Sequence, residues 1–375
     1  MSLAPRPLRV VLLGDGESPH LLKWARALAP RVELHVASSR GLAPALAALV
    51  APGRTLALGH ATKFAGGNAA LLATLPRLVR WLRGVDADWI NAHYLTSHGT
   101  LAWLARKAGV RAQLAASAWG SDILVAPRTS AALRWVTSRV LRDAAVCTSD
   151  SAHMARRMVE LGARDVMTFP FGLEALPPEP SAKEPFLFFA NRGLEDIYDP
   201  HRVLTLFAGI AAERPDARLV VANSGSLAEA LARQAGALGL ADRIDFVGRL
   251  DAAAQAAFYA RATWYISVPR SDSVSVSVLE AMGHGCIPLL SDLPANRELV
   301  REGEFGENGL VLPDGQQTLT LRDLARLRRD APTLARHNHG WVGRNALFGP
   351  SIDAFVARLE QSTPPRRTIA GPRTP

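Results

Sequence analysis

Residues Asp272–Asp292 read D-S-V-S-V-S-V-L-E-A-M-G-H-G-C-I-P-L-L-S-D, and the way the first half of this stretch folds decides the architecture around it. One reading makes Asp272–Glu280 a loop entering a helix. Ser271, Ser273 and Ser275 are then candidate N-caps for a helix running to about Gly283. The free N–H groups and positive dipole end of such a helix suit a phosphate or diphosphate. Asp272 would lie at the mouth and Glu280 one to two turns further in, two acceptors bracketing one anionic, hydroxyl-rich ligand. A nucleotide sugar has that shape. The other reading is plainer: alternating Ser and Val over Ser273–Val278 is also a period-two strand pattern. Spacing alone leaves both open.

Working outward, short apolar strands recur between helices. Leu8–Leu13 reads as a first strand, followed by a Gly-bearing turn and a helix over Pro19–Leu28. Val32–Ala37, Asp88–His93, Gln113–Ala118, Ala145–Ser149 and Val166–Phe169 read as further strands, with helices at Leu101–Lys107 and Ser151–Leu161. The stretch E-A-L-P-P-E-P-S-A-K-E-P, residues 174–185, is rich in Pro and charge and reads as a linker. A second strand series then follows at Phe186–Ala190, Arg218–Ala222, Ile244–Val247, Trp264–Val268, Ile287–Leu290 and Gly309–Leu312. The rhythm implies an α/β protein of two Rossmann-like, doubly wound parallel-sheet domains facing a cleft. The expected division is 1–173, the linker 174–185, 186–345, a C-terminal helical segment 346–361 and a disordered tail 362–375.

Composition narrows the class. The 375 residues suffice for two cores, and 48% hydrophobic content with 6% aromatics suits a helix-rich α/β chain. No apolar run approaches a membrane span, and M-S-L-A-P-R-P-L-R lacks the pattern of a signal peptide. Cys147 and Cys286 stand apart in no metal spacing, which predicts reduced packing residues and a cytoplasmic protein. The formal charge of +9 raises an anionic partner. No aromatic-interleaved basic motif, finger or recognition helix supports nucleic acid. A basic face also suits anionic lipid headgroups, hence a possible peripheral place at the inner membrane face, or a lipid-diphosphate acceptor. The plain alternative is a charge-biased solvated surface.

The stretch Asp272–Asp292 resembles the E-x7-E region of retaining glycosyltransferases of the GT-B fold, in the GT4-like, group 1 family. That region is written E-G-F-G-x-x-x-x-E-A-M-A-x-G-x-P-V-V-x-S-D. Asp272 takes the first acidic place and Glu280 the second, with Ala281, Met282, Gly285, Pro288, Ser291 and Asp292 in register. Asp stands for Glu, and Ser273 and Ser275 stand for two glycines. The resemblance runs from Leu8 to about Leu359. It implies that the backbone over Ser273, Val274 and Ser275 meets the donor phosphates and sugar, that Glu280 holds the ribose, and that Asp272 acts at the donor sugar.

Further residues fall on the family's motifs. Asn191-Arg192-Gly193 looks like its G-R segment, which makes Arg192 the diphosphate-binding cation; guanidinium suits that part as a permanently charged bidentate fork. The family's later Lys is absent from Leu194–Pro200, where Tyr198 falls instead, and Arg270 is a candidate second cation. Phe246–Leu250 is similar to an F-x-G segment that reads the nucleobase through backbone at Gly248. In the first half, Gly14-Asp15-Gly16 lacks the third glycine of a dinucleotide fingerprint but fits the family's first loop, with Gly16 allowing close approach of the donor and His20 near the acceptor. Asn91-Ala92-His93-Tyr94 resembles an H-x-H segment with His93 aimed at the ligand. Ala118–Asp122 resembles a W-G-S-D or H-G-x-D segment in which Asp122 orients a sugar hydroxyl or the acceptor. Each carries a plain alternative: His20 a helix-start surface residue, His93 a structural hydrogen bond, Asp122 a cap for the following turn.

Taken together, the resemblance implies a retaining transfer of sugar from a nucleoside-diphosphate sugar to an acceptor hydroxyl of a glycan or lipid-linked substrate, in bacterial surface polysaccharide, lipopolysaccharide or glycolipid assembly. No bound cofactor and no required metal are expected, the nucleotide sugar being a co-substrate. Three other readings stand beside it: a nucleotide-sugar epimerase of the same fold, a glycoside phosphorylase for which no pyridoxal-phosphate lysine site is found, and a non-catalytic partner subunit of a glycosylation complex.

Overall fold

The computed structural model describes residues 6–60, 69–301 and 307–364. Contacts divide the chain into two units. The first gathers residues 1–148, 157–167 and 349–375, and the second residues 149–156 and 168–348.

The first unit is built on seven strands: β1 Arg9–Gly14, β2 Glu33–Ser38, β3 Thr55–Ala57, β4 Trp89–His93, β5 Gln113–Ser117, β6 Val146–Ser149 and β7 Val166–Thr168. Their order is β3-β2-β1-β4-β5-β6-β7, and neighbours from β3 to β6 pair in parallel. Parallel strands covered on both faces read as continuous apolar runs rather than alternation. Val10-Val11-Leu12-Leu13 is such a run and is fully buried. The helix Pro19–Leu28 starts with Ser18 accepting from His20 N–H at 3.2 Å and Pro at its first turn, and buries Leu21, Trp24, Ala25 and Leu28.

Against that buried stripe packs the helix Phe348–Ser362. Phe355 meets the Trp24 ring edge-on at 5.4 Å, and Arg31 pairs with Asp353 at 2.6 Å. Arg358 pairs with Asp165 at 2.7 Å, while Trp89 Nε1 donates to Thr363 Oγ1 at 2.8 Å. Of the tail expected from 362 onward, residues 365–375 lie outside the described residues.

The second unit holds β8 Glu184–Ala190, β9 Arg218–Ala222, β10 Ile244–Gly248, β11 Ala262–Ser267, β12 Ile287–Ser291 and β13 Leu310–Leu312, in the order β10-β9-β8-β11-β12-β13, all parallel. Alternation along its central strands splits the core in two. Phe188 on β8 and Trp264 on β11 face one side, with Phe207 from the helix Pro200–Glu213. Phe189 and Tyr265 face the other, with Tyr259 from the helix Ala252–Arg261 and Leu279 from the helix Val276–Gly283. Two parallel sheets of seven and six strands, each flanked by helices, give the α/β architecture that the strand–helix rhythm implies. The three-residue edge strand Thr55–Ala57 is too short to carry such a signal. Among the described residues no helix is long and apolar enough to cross a membrane.

A buried histidine makes the first unit acid-sensitive. His98 is 1% exposed, its Nδ1 lies 2.9 Å from the His93 carbonyl oxygen and its Nε2 2.9 Å from Ser39 Oγ. Burial pushes its pKa down to about 4, against the opposing pull of that carbonyl. The unfolded chain binds this proton near pH 6.5 and the folded chain does not, so stability present above pH 6.5 is lost as pH falls toward 4, by about 3 kcal/mol from this group. The thermal unfolding midpoint should drop over that range, and His98→Asn should flatten the drop; a slope unchanged by the substitution would assign it elsewhere.

Candidate functional site

In the second unit the strand order reverses between β8 and β11. An open parallel sheet leaves a crevice beyond the C-terminal ends of its strands at such a switch point. Both loops carrying the sequence candidates leave from there: Asn191-Arg192 directly follows β8, and Asp272–Ser275 follows β11.

The loop reading of Asp272–Glu280 is the one the chain adopts. Ser275 has extended dihedrals and no side-chain cap bond of its own, and the helix Val276–Gly283 begins right after it. Arg192 organises this entry. Its Nη2 donates to Asp272 Oδ2 at 2.6 Å, and its Nη1 donates to Ser275 Oγ and, at 3.3 Å, to Ser277 Oγ. The guanidinium also lies over the Tyr198 ring, 4.5 Å from its centroid, in the stretch where the resemblance led one to look for a lysine. Burial works against its charge, but the Asp272 carboxylate and the neighbouring tyrosines hold the Arg192 pKa above its usual value. For Asp272, burial raises the pKa while Arg192 opposes it.

A polar network braces this pair from below. Asn191 Nδ2 donates to Tyr259 Oη at 2.7 Å, and its Oδ1 accepts from Tyr265 Oη at 2.6 Å. Tyr265 Oη also lies 2.9 Å from Ser277 Oγ, and Tyr259 Oη lies 3.1 Å from Glu280 Oε2, which Gln255 Nε2 approaches at 3.4 Å. Glu280 is thus half-buried on the inner side of the helix, as its spacing from Asp272 implies.

Asp150 joins the same loop from another part of the sequence. It is 6% exposed, in the segment 149–156 that clusters with the second unit. Ser273 Oγ donates to its Oδ1, Ser151 Oγ lies 3.1 Å from Ser273 Oγ, and the Val274 N–H adds a backbone bond. Burial pushes its pKa up to about 7, those hydroxyls and that N–H pulling the other way. The reading of the sequence passed over Asp150, although a polar S-D-S directly after a strand was the available signal. Gly248 ends β10 with φ of 67° and open space where a Cβ would sit; its carbonyl accepts from Asn223 N–H at 2.6 Å. Arg270 pairs with Asp196 at 2.7 Å and Asp199 at 3.4 Å, so its charge is already matched outside the Arg192 cluster.

The first unit collects its candidates at the matching switch point, between β1 and β4. Trp119 is the hub. Its Nε1 donates to His93 Nδ1 at 2.9 Å, and its ring lies 4.6 Å from that of His20 and stacks at 5.7 Å on Tyr94, which holds a left-handed φ of 61°. His93 is 2% exposed, its Nε2 makes no hydrogen bond, and burial drives its pKa well below the usual value. Asp122 is 2% exposed and engages both oxygens on backbone: Oδ1 accepts from Trp119 N–H and Oδ2 from Leu95 N–H, each at 2.9 Å. That makes it a clamp joining the loops after β4 and β5. Gly16 sits under the loop after β2, where an added Cβ would lie 2.5 Å from Gly41 O and 2.7 Å from Ser38 Oγ.

Comparison with known proteins fits this geometry. Residues 9–151 match the family described as glycosyl transferase 4-like, and residues 176–339 match glycosyl transferases group 1. The chain belongs to these GT4-like, group 1 glycosyltransferases, with the GT-B fold. Among solved structures it is similar to Anabaena HepE in complex with UDP and glucose, with a TM-score of 0.73, 16% identity and coverage of 94% of this chain and 99% of that one. It is also similar to the lipopolysaccharide outer core galactosyltransferase WaaB, with a TM-score of 0.69, 14% identity and coverage of 94% and 99%. A curated relative, the alpha-monoglucosyldiacylglycerol synthase of Streptococcus pneumoniae, is 29% identical over 104 residues, 28% of this chain and 24% of that protein. The match spans about a quarter of that relative's length.

Asp150 yields a pH signature opposite to that of His98. The folded state holds its proton up to about pH 7 and the unfolded chain releases it near 4. Stability therefore falls as pH rises between those values. Asp150→Asn keeps an acceptor for Ser273 and lacks the loss, so its melting midpoint should gain on the wild type progressively from pH 4 to 7. A constant offset between the two proteins would show that Asp150 does not titrate in that window.

Proposed function

We propose that this glycosyltransferase moves a sugar, with retention, from UDP-sugar to the hydroxyl of a glycan or lipid-linked acceptor in the assembly of a bacterial surface polysaccharide or glycolipid. The observation that carries the reading is the Arg192 cluster: one guanidinium, the start of the helix Val276–Gly283, and the Asp272 and Glu280 carboxylates, all grouped at the switch point of the second sheet. The similar HepE structures, in complex with UDP, with UDP and glucose, and with UDP-glucose, support the uracil nucleotide. The Streptococcus pneumoniae relative supports a lipid-linked acceptor.

In this reading the diphosphate displaces the Asp272 carboxylate from Arg192, and the guanidinium turns its fork to the phosphate oxygens. The backbone of Ser273, Val274 and Ser275 with the helix start adds N–H donors for the charge that builds on the leaving group. Freed from Arg192, Asp272 accepts from a hydroxyl of the donor sugar, while Glu280, held by Tyr259, takes the ribose hydroxyls. Gly248 leaves backbone open beside the base. The departing diphosphate takes the proton of the incoming hydroxyl on the same face, so the protein's part is placement and charge stabilisation and no enzymic nucleophile is needed. In the first unit His93 and His20, both packed on Trp119, line the acceptor side; Asp122 and Gly16 fix the loops that carry them.

A thermal-shift screen against UDP, GDP, ADP and their sugar conjugates should give a stabilising shift with the uridine compounds alone. Glu280→Ala and Arg192→Ala should each abolish that shift, the loss of a charged hydrogen-bond partner being worth about 1.5–3 kcal/mol, roughly ten- to a hundredfold in affinity. Unchanged UDP affinity in Glu280→Ala would remove the site assignment. Asp272→Ala should lower acceptor-dependent UDP release far more than it lowers UDP binding; an equal loss in both would make Asp272 a nucleotide ligand instead.

A further inference from the structure

Two backbone N–H groups of the loop Asp272–Ser275 are already bonded to carboxylates of this chain. Ser273 N–H donates to Asp272 Oδ1 at 3.0 Å, and Val274 N–H donates to Asp150. The Ser273 hydroxyl also donates to Asp150 Oδ1, while Arg192 holds Asp272 Oδ2 at 2.6 Å. A loop whose donors converge on two carboxylates is one that suits an anion. For a donor diphosphate to take these N–H groups, both carboxylates must let go. Asp272 is released by the exchange at Arg192; Asp150 needs a release of its own.

Asp150 is fastened where it stands. It is 6% exposed, between the end of β6 and the start of the helix Ala152–Leu161. Ser151 Oγ accepts from Met154 N–H at 3.2 Å and caps that helix. Glu298, on the helix Pro294–Arg301, accepts from the Ala152 and His153 N–H groups at 2.9 and 2.7 Å, with Arg156 at 3.6 Å from it. The carboxyl group is thus held in position, and what it can change is its charge. Burial pushes its pKa up to about 7; the Ser273 hydroxyl opposes this and the Asp272 charge adds to it.

Hydrogen bonds to an ionised acceptor are roughly twice as strong as those between neutral groups. Ionised Asp150 therefore holds the Val274 N–H firmly and sets a negative charge beside the loop. Once protonated, it still offers an oxygen to the Ser273 hydroxyl, so the loop keeps its shape while the hold on Val274 weakens. A diphosphate at the loop brings further negative charge, and a carboxyl group beside like charge favours its protonated form. Arrival of the ligand and uptake of a proton from solvent at Asp150 go together.

We propose that Asp150 is a positioning residue of the donor loop that also competes with the donor: ionised it occupies the Val274 N–H, and protonated it yields that group to the diphosphate. The proposal rests on the donor reading of the Arg192 cluster. UDP is titrated calorimetrically into the full chain and into Asp150→Asn, which keeps a neutral acceptor for Ser273, at pH 6, 7 and 8. The ratio of the two affinities cancels the titration of UDP itself. The competent fraction of the wild type falls about tenfold over this range. Asp150→Asn should therefore match the wild type near pH 6 and bind UDP up to about tenfold more tightly at pH 8. A purely structural role would give the opposite sign, weaker binding in the variant at every pH. Ser273→Ala removes a bond that favours the ionised form, so its affinity should fall at higher pH than that of the wild type. The proposal is overturned if the ratio is constant from pH 6 to 8, or if Asp150→Asn binds UDP more weakly at pH 8. Either result leaves the donor reading in place where the wild type binds UDP and Arg192→Ala does not. UDP binding by neither the wild type nor Asp150→Asn at any of these pH values removes the donor reading and this proposal together.

Discussion

Arg192 is the charge around which the loops at the switch point of the second sheet are arranged. Its side chain is 18% exposed and that of Asp272 24%, so both ions have given up much of their water. Such a pair persists only where further hydrogen bonds complete the geometry. Here Ser275, Ser277 and the Tyr198 face complete it for the guanidinium, and the Ser273 N–H, 3.0 Å from Asp272 Oδ1, for the carboxylate. The cluster is fixed in place by chain topology before any side chain acts. Reversal of strand order between β8 and β11 brings residue 192 beside residue 272, eighty positions later. Because Asn191 sits one residue before Arg192 and bridges Tyr259 to Tyr265, the same turn also sets where Glu280 is held. The acidic pair and the basic residue are thus one mechanical unit.

The loop Asp272–Ser275 has a second anchor that charge alone would not suggest. Two serines stand where the family pattern has glycines, and both hydroxyls are engaged: Ser273 on Asp150 and Ser275 on Arg192. What reads as a loss of backbone freedom is, in the folded chain, an exchange of flexibility for tethering. If the loop meets the donor as proposed, these tethers hold it in shape beforehand, which lowers the ordering cost of binding.

Much of the architecture was legible because buried parallel strands leave a coarse signal. Runs such as Val10–Leu13 and Phe186–Ala190 mark strands through apolarity alone, and the Gly-bearing turn before Pro19 marks a helix start. The stretch Ser273–Val278 shows where that signal fails. Alternating Ser and Val satisfies strand periodicity, yet the segment is a loop and a helix turn, because the serines bond to Arg192, Asp150 and one another rather than to a neighbouring strand. Resemblance of motif, and not periodicity, separated the two. Of the partners that complete the cluster, Asp150 left a signal in its S-D-S, whereas Tyr259 and Tyr265 left none. Both tyrosines lie on core faces, and nothing in their local sequence distinguishes a core tyrosine with a bonded hydroxyl from one without. Asp122 was visible through the W-G-S-D segment of the resemblance, but only the folded structure shows that both its oxygens are taken by backbone N–H groups.

The packing of the helix Phe348–Ser362 on Trp24, Arg31 and Asp165 has a bearing on how the molecule is made. The chain leaves the first unit near residue 167 and returns to it only at 349. During synthesis the face holding Trp24 and Leu28 must wait for that return, on the order of ten to forty seconds at ribosomal rates. Through that interval the N-terminal sheet is a complete scaffold with one wall missing, and an apolar stripe is open to other chains. The second unit, whose strands are contiguous in sequence, has no such wait. Synthesis order and folding order are therefore reversed at the end: the unit begun first is the one finished last.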